Sequence, residues 1–352
     1  MIATLGSHRE GIIAALRGID ANEGPGLDEV NSWGEDLRGR LVEFTSRGKL
    51  IRGSLVAAAA EALGRAPDHA VYTAAAAVEL VQSFLLIHDD IMDEDPIRRG
   101  VPAVYEQYRR HACDRGFRNP ARFGESMGIC GGDVAVLLAV SAIGGCELYG
   151  ETRIRLITLL SREIAKVGVA QMADVANGHS PKAASEEEIL AVYRYKTGRY
   201  TFSLPLMMGG IIAGADGDVI QALSTWGELE GMIFQIRDDH LGIMGDTDEI
   251  GKPTGSDISS NKQTLHRLHL LARLPESKWS DVAAYFGHDQ LSEGQVKRVR
   301  EALVGTGTVA LLESRVAALR EEAAAALDRL ALPPERRAVF DEIDAYNAAR
   351  DV

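Results

Sequence analysis

The chain of 352 residues is poor in cysteine and has fewer positive than negative side chains, and each shortage excludes something. Three cysteines (Cys113, Cys130 and Cys146) give neither a disulfide framework nor a paired metal-ligand spacing. That favours a reducing cytoplasm and a role for the thiols as small buried hydrophobes. A formal charge of −13 argues against nucleic acid as a partner, since a polyanion is repelled by such a surface. Much of that acidity belongs to ordinary solvated helix faces such as residues 185–188. Sustained alternation of apolar and polar residues is missing, so no extended sheet is expected. The longest apolar runs, such as residues 134–143, read as too short for a bilayer, and no charged-then-apolar leader is read at the start. The absence of any Glu-x-x-His pair disfavours a di-iron carboxylate bundle.

What is present is apolar and helical. Hydrophobic residues make up 46% of the chain, enough for a substantial core. In residues 71–93, 132–148, 152–175, 186–196 and 224–243 they recur every three or four positions, which favours helix over strand. Turn signals fall at 22–26, 115–119, 178–182, 214–217 and 251–255. Longer loops are expected at 109–125 and after 246. With no internal repeat, the economical reading is a single all-α domain over 1–352, an antiparallel helical bundle. Residues 313–352 read as amphipathic helix broken at Leu332-Pro333-Pro334, without chemistry.

Chemistry concentrates in two aspartate clusters, Asp89-Asp90-Ile91-Met92-Asp93 and Asp238-Asp239-His240-Leu241-Gly242, each following an apolar run. Carboxylates at the end of an apolar segment are costly to bury unless cations compensate them. The pattern suggests hard cations, magnesium first, bridging protein carboxylates to a diphosphate. On a helix Asp89 and Asp93 share a face, with Asp90 about 100° away. Acidic residues at a helix C-terminus are disfavoured by the macrodipole, so a plain solvated terminus is a poor explanation. Arg98, Arg99 and Gly100 follow, and arginine suits bidentate phosphate recognition. Weaker signals are Gly48-Lys49-Leu50-Ile51-Arg52-Gly53, Lys196-Thr197-Gly198 closing a helix, and Lys252 and Lys262 around Asp257. His88 beside Asp89 reads better as a packed histidine than as a catalytic one.

Taken together, RGKLIRG, DDIMDEDPIRRG, YKTG and FQIRDDHLGIMGD resemble the trans-isoprenyl diphosphate synthases in order and approximate spacing, over roughly residues 40–265. Residues 266–352 would add C-terminal helices. The resemblance implies an isoprenoid-synthase-type bundle around a central cavity, magnesium as cofactor with three ions per active site, and a homodimer. By the same resemblance, Asp89, Asp90 and Asp93 hold two magnesium ions on the allylic diphosphate, and Asp238 and Asp239 hold a third. Arg98 binds the allylic diphosphate. Gly48, Lys49, Arg52, Gln82 and Arg99 form the isopentenyl diphosphate site. Lys196, Thr197, Gln235 and Lys252 surround the allylic leaving group, and Gln171 and Asp174 line the same cavity.

One position departs from the family pattern: the last aspartate of the second motif is Gly242. Asp238 is then expected as the sole direct ligand there, with Asp246 or Asp257 supporting it through water. The implied reaction condenses isopentenyl diphosphate with dimethylallyl, geranyl or farnesyl diphosphate through an allylic cation near the Thr197 hydroxyl and Lys196 carbonyl. Phe84 and Leu85, five and four positions before Asp89, would set the floor of the chain pocket. One aromatic and one aliphatic residue imply geranylgeranyl diphosphate as main product, with farnesyl diphosphate as the alternative. A terpene cyclase would have no use for Lys49, Arg52 and Arg99. A non-catalytic modulating subunit would not need an intact first motif.

Overall fold

Helix start signals sit where the apolar periodicity begins. Asp68 accepts from the Val71 amide at 3.1 Å, Asn119 caps a helix with Pro120 at its first position, and Ser185 and Glu188 form a reciprocal capping box. The structure, a computed structural model, describes residues 3–19, 26–180, 182–245, 255–275, 281–288 and 291–349. In order these contain α1 (Ala3–Ser7), α2 (Arg9–Gly18), a 3₁₀ turn (Leu27–Glu29), α3 (Ser32–Ser46), α4 (Ile51–Ala62), α5 (His69–Met92), β1 (Ile97–Arg98) and β2 (Val101–Pro102). Then come α6 (Val104–Asp114), α7 (Pro120–Gly145), α8 (Gly150–His179), α9 (Glu186–Val192), a π-helix (Tyr193–Ser203), α10 (Leu204–Ile212) and α11 (Gly217–Met244). The last are α12 (Ser256–Ser259), α13 (Leu265–Arg273), α14 (Glu293–Gly305), α15 (Thr308–Asp328) and α16 (Pro334–Ala348). The fold class is all-α, as expected.

The chain forms two compact units: residues 1–159 with 205–216, and residues 160–204 with 217–352. In the first, α5 is the central element. Ala74, Ala75, Ala76 and Ala77 are fully buried, and their small side chains let α4 and α7 pack close to it. At its C-terminal end Ile87 joins Leu41, Phe44, Val104, Tyr108 and Ala135 in one cluster, with Phe84 packed against it. In the second unit, α11 packs against the π-helix and α15, and Ile189, Tyr193, Ile233, Ile236, Leu265, Leu312 and Val316 form the core between them.

Four expectations need correction. Cys113 and Cys130 are exposed rather than small buried hydrophobes, while Cys146 is buried. Residues 109–125 are not a loop: α6 and α7 leave only Arg115–Asn119 between them, because Asn119 starts α7 directly. Lys196-Thr197-Gly198 do not end a helix but lie inside the π-helix. Finally, α5 and α7 are long and apolar enough to cross a membrane by length and composition: glycine and serine interrupt α7 without making it polar, and Glu79, Gln82 and Ser83 are few among the apolar residues of α5. Of the two, α5 is mostly covered by the fold, with 67% of its most apolar window buried, against 33% for α7. The turn at 251–255 falls mostly outside the described residues, as do Asp246 and Lys252.

Candidate active site

In the first unit α5 delivers the first aspartate cluster to the edge of the core. Asp93 caps the helix, its amide bonded to the Asp89 carbonyl at 2.8 Å. Asp89 is half-buried and Asp93 exposed, so both are accessible to a ligand. Asp90 differs. It is 0% exposed, and Arg98 Nε donates to its Oδ1 at 2.5 Å. Burial pushes the Asp90 carboxyl up to about 6, with Arg98 pulling against it. Its Oδ2 is buried without a hydrogen-bond partner among the described residues.

A tight hairpin then separates the two arginines. The register pairs Ile97 with Pro102 and Arg98 with Val101, leaving Arg99 and Gly100 as the two-residue turn. Both have positive φ, 55° and 74°, the geometry of a type I′ turn. For Arg99 this left-handed backbone costs about 1–2 kcal/mol. Arg98 turns to Asp90, while Arg99 donates to the Phe44 carbonyl at 2.8 Å and lies against Gly48, where a Cβ would come within 2.9 Å of its guanidinium. The glycine is what permits this approach. Arg99 thus joins the turn carrying Lys49, which is exposed, and Arg52, which is half-buried at the start of α4. Gln82, Phe84 and Leu85 are half-buried on α5. Phe84 meets His88 edge-on at 4.9 Å between ring centres. The His88 Nε2 is 3.1 Å from the Ile129 carbonyl, so it is a packed histidine.

The second unit has its own chain of contacts. Thr197 donates to Gln235 Oε1 at 2.6 Å, and Gln235 donates to Asp239 Oδ1 at 2.9 Å. Lys262 donates to the same Asp239 oxygen at 2.9 Å, and Tyr193 donates to Oδ2. Burial and the Asp239 charge raise the Tyr193 hydroxyl well above its ordinary value. Lys196 donates to Asp174 at 2.7 Å. This alignment depends on two glycines. A Cβ on Gly231 would collide with the Gly198 backbone, so π-helix and α11 touch main chain to main chain four positions before Gln235. Wider π winding is a recurrent feature of functional sites. Asp238 is half-buried, whereas Asp239 is 0% exposed and committed to three donors. In this structure Asp239 anchors Gln235, Lys262 and Tyr193.

Gly242 has a physical explanation. A Cβ there would run into the carboxylate of Asp257, which reaches in from α12 and lies 3.5 Å from the Lys262 ammonium. The acid missing at 242 is replaced in space by one from another element. Tyr193 carries no signal in the spacing, whereas Asp257 was one of the two acids expected to support the site that Gly242 leaves short.

Among the described residues no group of three or more acidic, histidine or cysteine side chains is arranged to hold a metal ion by itself. Pairs of carboxylates, with a buried carboxylate oxygen left unpaired at Asp90, still fit magnesium. That ion prefers one or two carboxylates together with substrate phosphate oxygens.

A sequence profile of the polyprenyl synthetase family matches residues 37–303. The short chain isoprenyl diphosphate synthase of Methanothermobacter thermautotrophicus is 33% identical over 308 residues, 87% of this chain and 84% of that protein. The geranylgeranyl diphosphate synthase of Saccharolobus solfataricus is 32% identical over 262 residues, 74% of each. The crystal structure of geranylgeranyl pyrophosphate synthase from Corynebacterium glutamicum, complexed with isoprenyl diphosphate and magnesium, superposes with a TM-score of 0.88 at 28% identity, covering 99% of both chains. The chain belongs to the polyprenyl synthetase family and is a trans-prenyltransferase.

Proposed function

We propose that this protein condenses isopentenyl diphosphate head-to-tail with an allylic diphosphate and makes chiefly geranylgeranyl diphosphate, as one catalytic domain acting as a cytoplasmic homodimer. The observation that carries the reading is the hairpin's division of labour: Arg98 stays with the first aspartates, and Arg99 is sent to Gly48, Lys49 and Arg52. Two cationic groups beside one aspartate cluster suit two diphosphates, which a cyclase does not need.

In this reading Asp89, Asp90 and Asp93 would hold two magnesium ions and Asp238, backed by Asp239, a third, with Asp90 also orienting Arg98. Magnesium, when bound, neutralises the allylic diphosphate and makes it a good leaving group. Arg98, Lys196, Gln235 and Lys252 bind that diphosphate. Gly48, Lys49, Arg52, Gln82 and Arg99 hold isopentenyl diphosphate so that its double bond faces the allylic carbon. Departure of the diphosphate leaves an allylic cation beside the Lys196 carbonyl and Thr197 hydroxyl. The alkene attacks, the new carbon–carbon bond forms, and the departing diphosphate takes the proton, so no protein base is required. Water must be kept out while the cation exists.

The test is direct. Purified protein with magnesium, isopentenyl diphosphate and each of dimethylallyl, geranyl and farnesyl diphosphate should yield a twenty-carbon alcohol after dephosphorylation. Products stopping at fifteen carbons would replace the assignment by farnesyl diphosphate synthase, and no product from any primer would remove it.

A further inference from the structure

The turn carrying Lys49 joins the end of α3, closed by backbone bonds from Arg47 and Gly48, to the start of α4, which has no side-chain cap of its own. The N-cap of α4 is Leu50, in a left-handed conformation with φ 52° and no capping side chain. Two charged side chains from elsewhere do the work instead. Glu79 on α5, fully buried, accepts from the Gly53 amide at 2.7 Å, a carboxylate at the positive end of the α4 dipole. On the other side Arg9, from α2, donates to the Gly48 carbonyl at 2.6 Å and also to the Ser46 carbonyl. It is a cation at the negative end of α3.

Arg9 is itself fixed. Ile12, one turn further along α2, is 0% exposed and sits against Gly53, where a Cβ would come within 3.1 Å of its Cδ1. Gly11 lies flat on Tyr72, with 2.6 Å between a Cβ there and the ring. Arg9, Gly11 and Ile12 precede the region matched to the family, residues 37–303.

We propose that Arg9 is a positioning residue of the isopentenyl diphosphate site: by gripping the carbonyls of Ser46 and Gly48 it fixes the turn that presents Lys49, Arg52 and the surface for Arg99. Arg9 touches no substrate. Its bonds determine where the amide and ammonium donors of the turn stand, while Glu79 fixes the same turn from the α4 side. The inference rests on the proposed function of this turn.

The test compares Arg9→Ala and Arg9→Lys with the parent enzyme. A charged hydrogen-bond donor removed from a part-buried pair of carbonyls is worth about tenfold in binding. Arg9→Ala should therefore raise the KM for isopentenyl diphosphate about tenfold, with the allylic KM and the kcat at saturation changing by less than about twofold. Arg9→Lys, which can reach one carbonyl, should fall between. Titration calorimetry with isopentenyl diphosphate alone should show the same loss of affinity without turnover. An unchanged KM, or all kinetic parameters worsening together with the melting temperature, overturns the proposal. A parent protein that binds isopentenyl diphosphate but elongates nothing sinks the functional reading, and the binding comparison still decides the role of Arg9.

Discussion

At the scale of single residues the site shows one acid standing in for another. Gly242 leaves room for the Asp257 carboxylate, which Lys262 holds in place. Gly242→Asp, restoring the usual family residue, would drive two carboxylates together in a half-buried space. The expected outcome is a melting temperature lower by several degrees, for a cost of about 1–3 kcal/mol, and a magnesium requirement shifted several-fold upward. Thermal melts and a magnesium titration of activity check it. A variant as stable and as responsive to magnesium as the parent would show that Asp257 is not filling that role. Phe84 raises a separate question, because it packs against both a hydrophobic cluster and His88. If it is the floor of the chain pocket, Phe84→Ala should lengthen the product by at least one five-carbon unit. An unaltered product distribution with reduced stability would make it a core residue only, at a cost of about 3–5 kcal/mol.

Among the elements, the long apolar helices were readable from periodicity because α5 and α11 bury most of their faces and the spacing repeats over many turns. The aspartate clusters were readable because charge at the end of such a run is rare. The π-helix was not, since Tyr193 to Ser203 has no composition that distinguishes i+5 from i+4 bonding; it coincides with the close Gly198–Gly231 contact, which only the folded chain reveals. The docking of α16 was equally silent. Asn347 donates to Glu230 Oε2 at 2.8 Å, and Phe340 meets Trp226 edge-on at 5.0 Å. Glu230 is 0% exposed; burial pushes its carboxyl up to about 8, the Asn347 amide pulling it down and the Asp344 charge pushing it further up. A raised carboxyl means that the folded state holds a proton that the unfolded chain, at 4.5, has released. Stability from this group is therefore complete below about pH 4.5, declines as pH rises, and is fully lost above about 8. Glu230→Gln keeps the acceptor for Asn347 without the charge. It should flatten the fall in melting temperature between pH 5 and 8 (stabilising by about 1–4 kcal/mol at the upper end) and change little at low pH. A parallel pH profile in parent and variant would mean that Glu230 is already ionised at neutral pH.

For the whole molecule, the open question is what covers α7. Its most apolar window is only one-third buried, and Leu137 is 66% exposed and Ile129 39%. An uncovered apolar helix face of this length normally marks an interface. A bilayer is a poor occupant, because Asp133 lies at the middle of Pro120–Gly145 with its side chain 63% exposed. A carboxylate at that depth in lipid costs about 2.5–3.5 kcal/mol on insertion scales. A second copy of the chain can cover Leu137 and Ile129, with Asp133 between them on the same face, 3.7 Å from His88 and within reach of interfacial water. The purified protein should therefore sediment as a dimer at micromolar concentration, and Leu137→Glu, which places a charge on the apolar face, should shift it toward monomer without unfolding it. Analytical ultracentrifugation of both proteins, with and without lipid vesicles, separates the alternatives. A parent protein that stays monomeric in buffer and floats with vesicles would assign α7 to a membrane surface. A variant that remains fully dimeric would move the interface to another face.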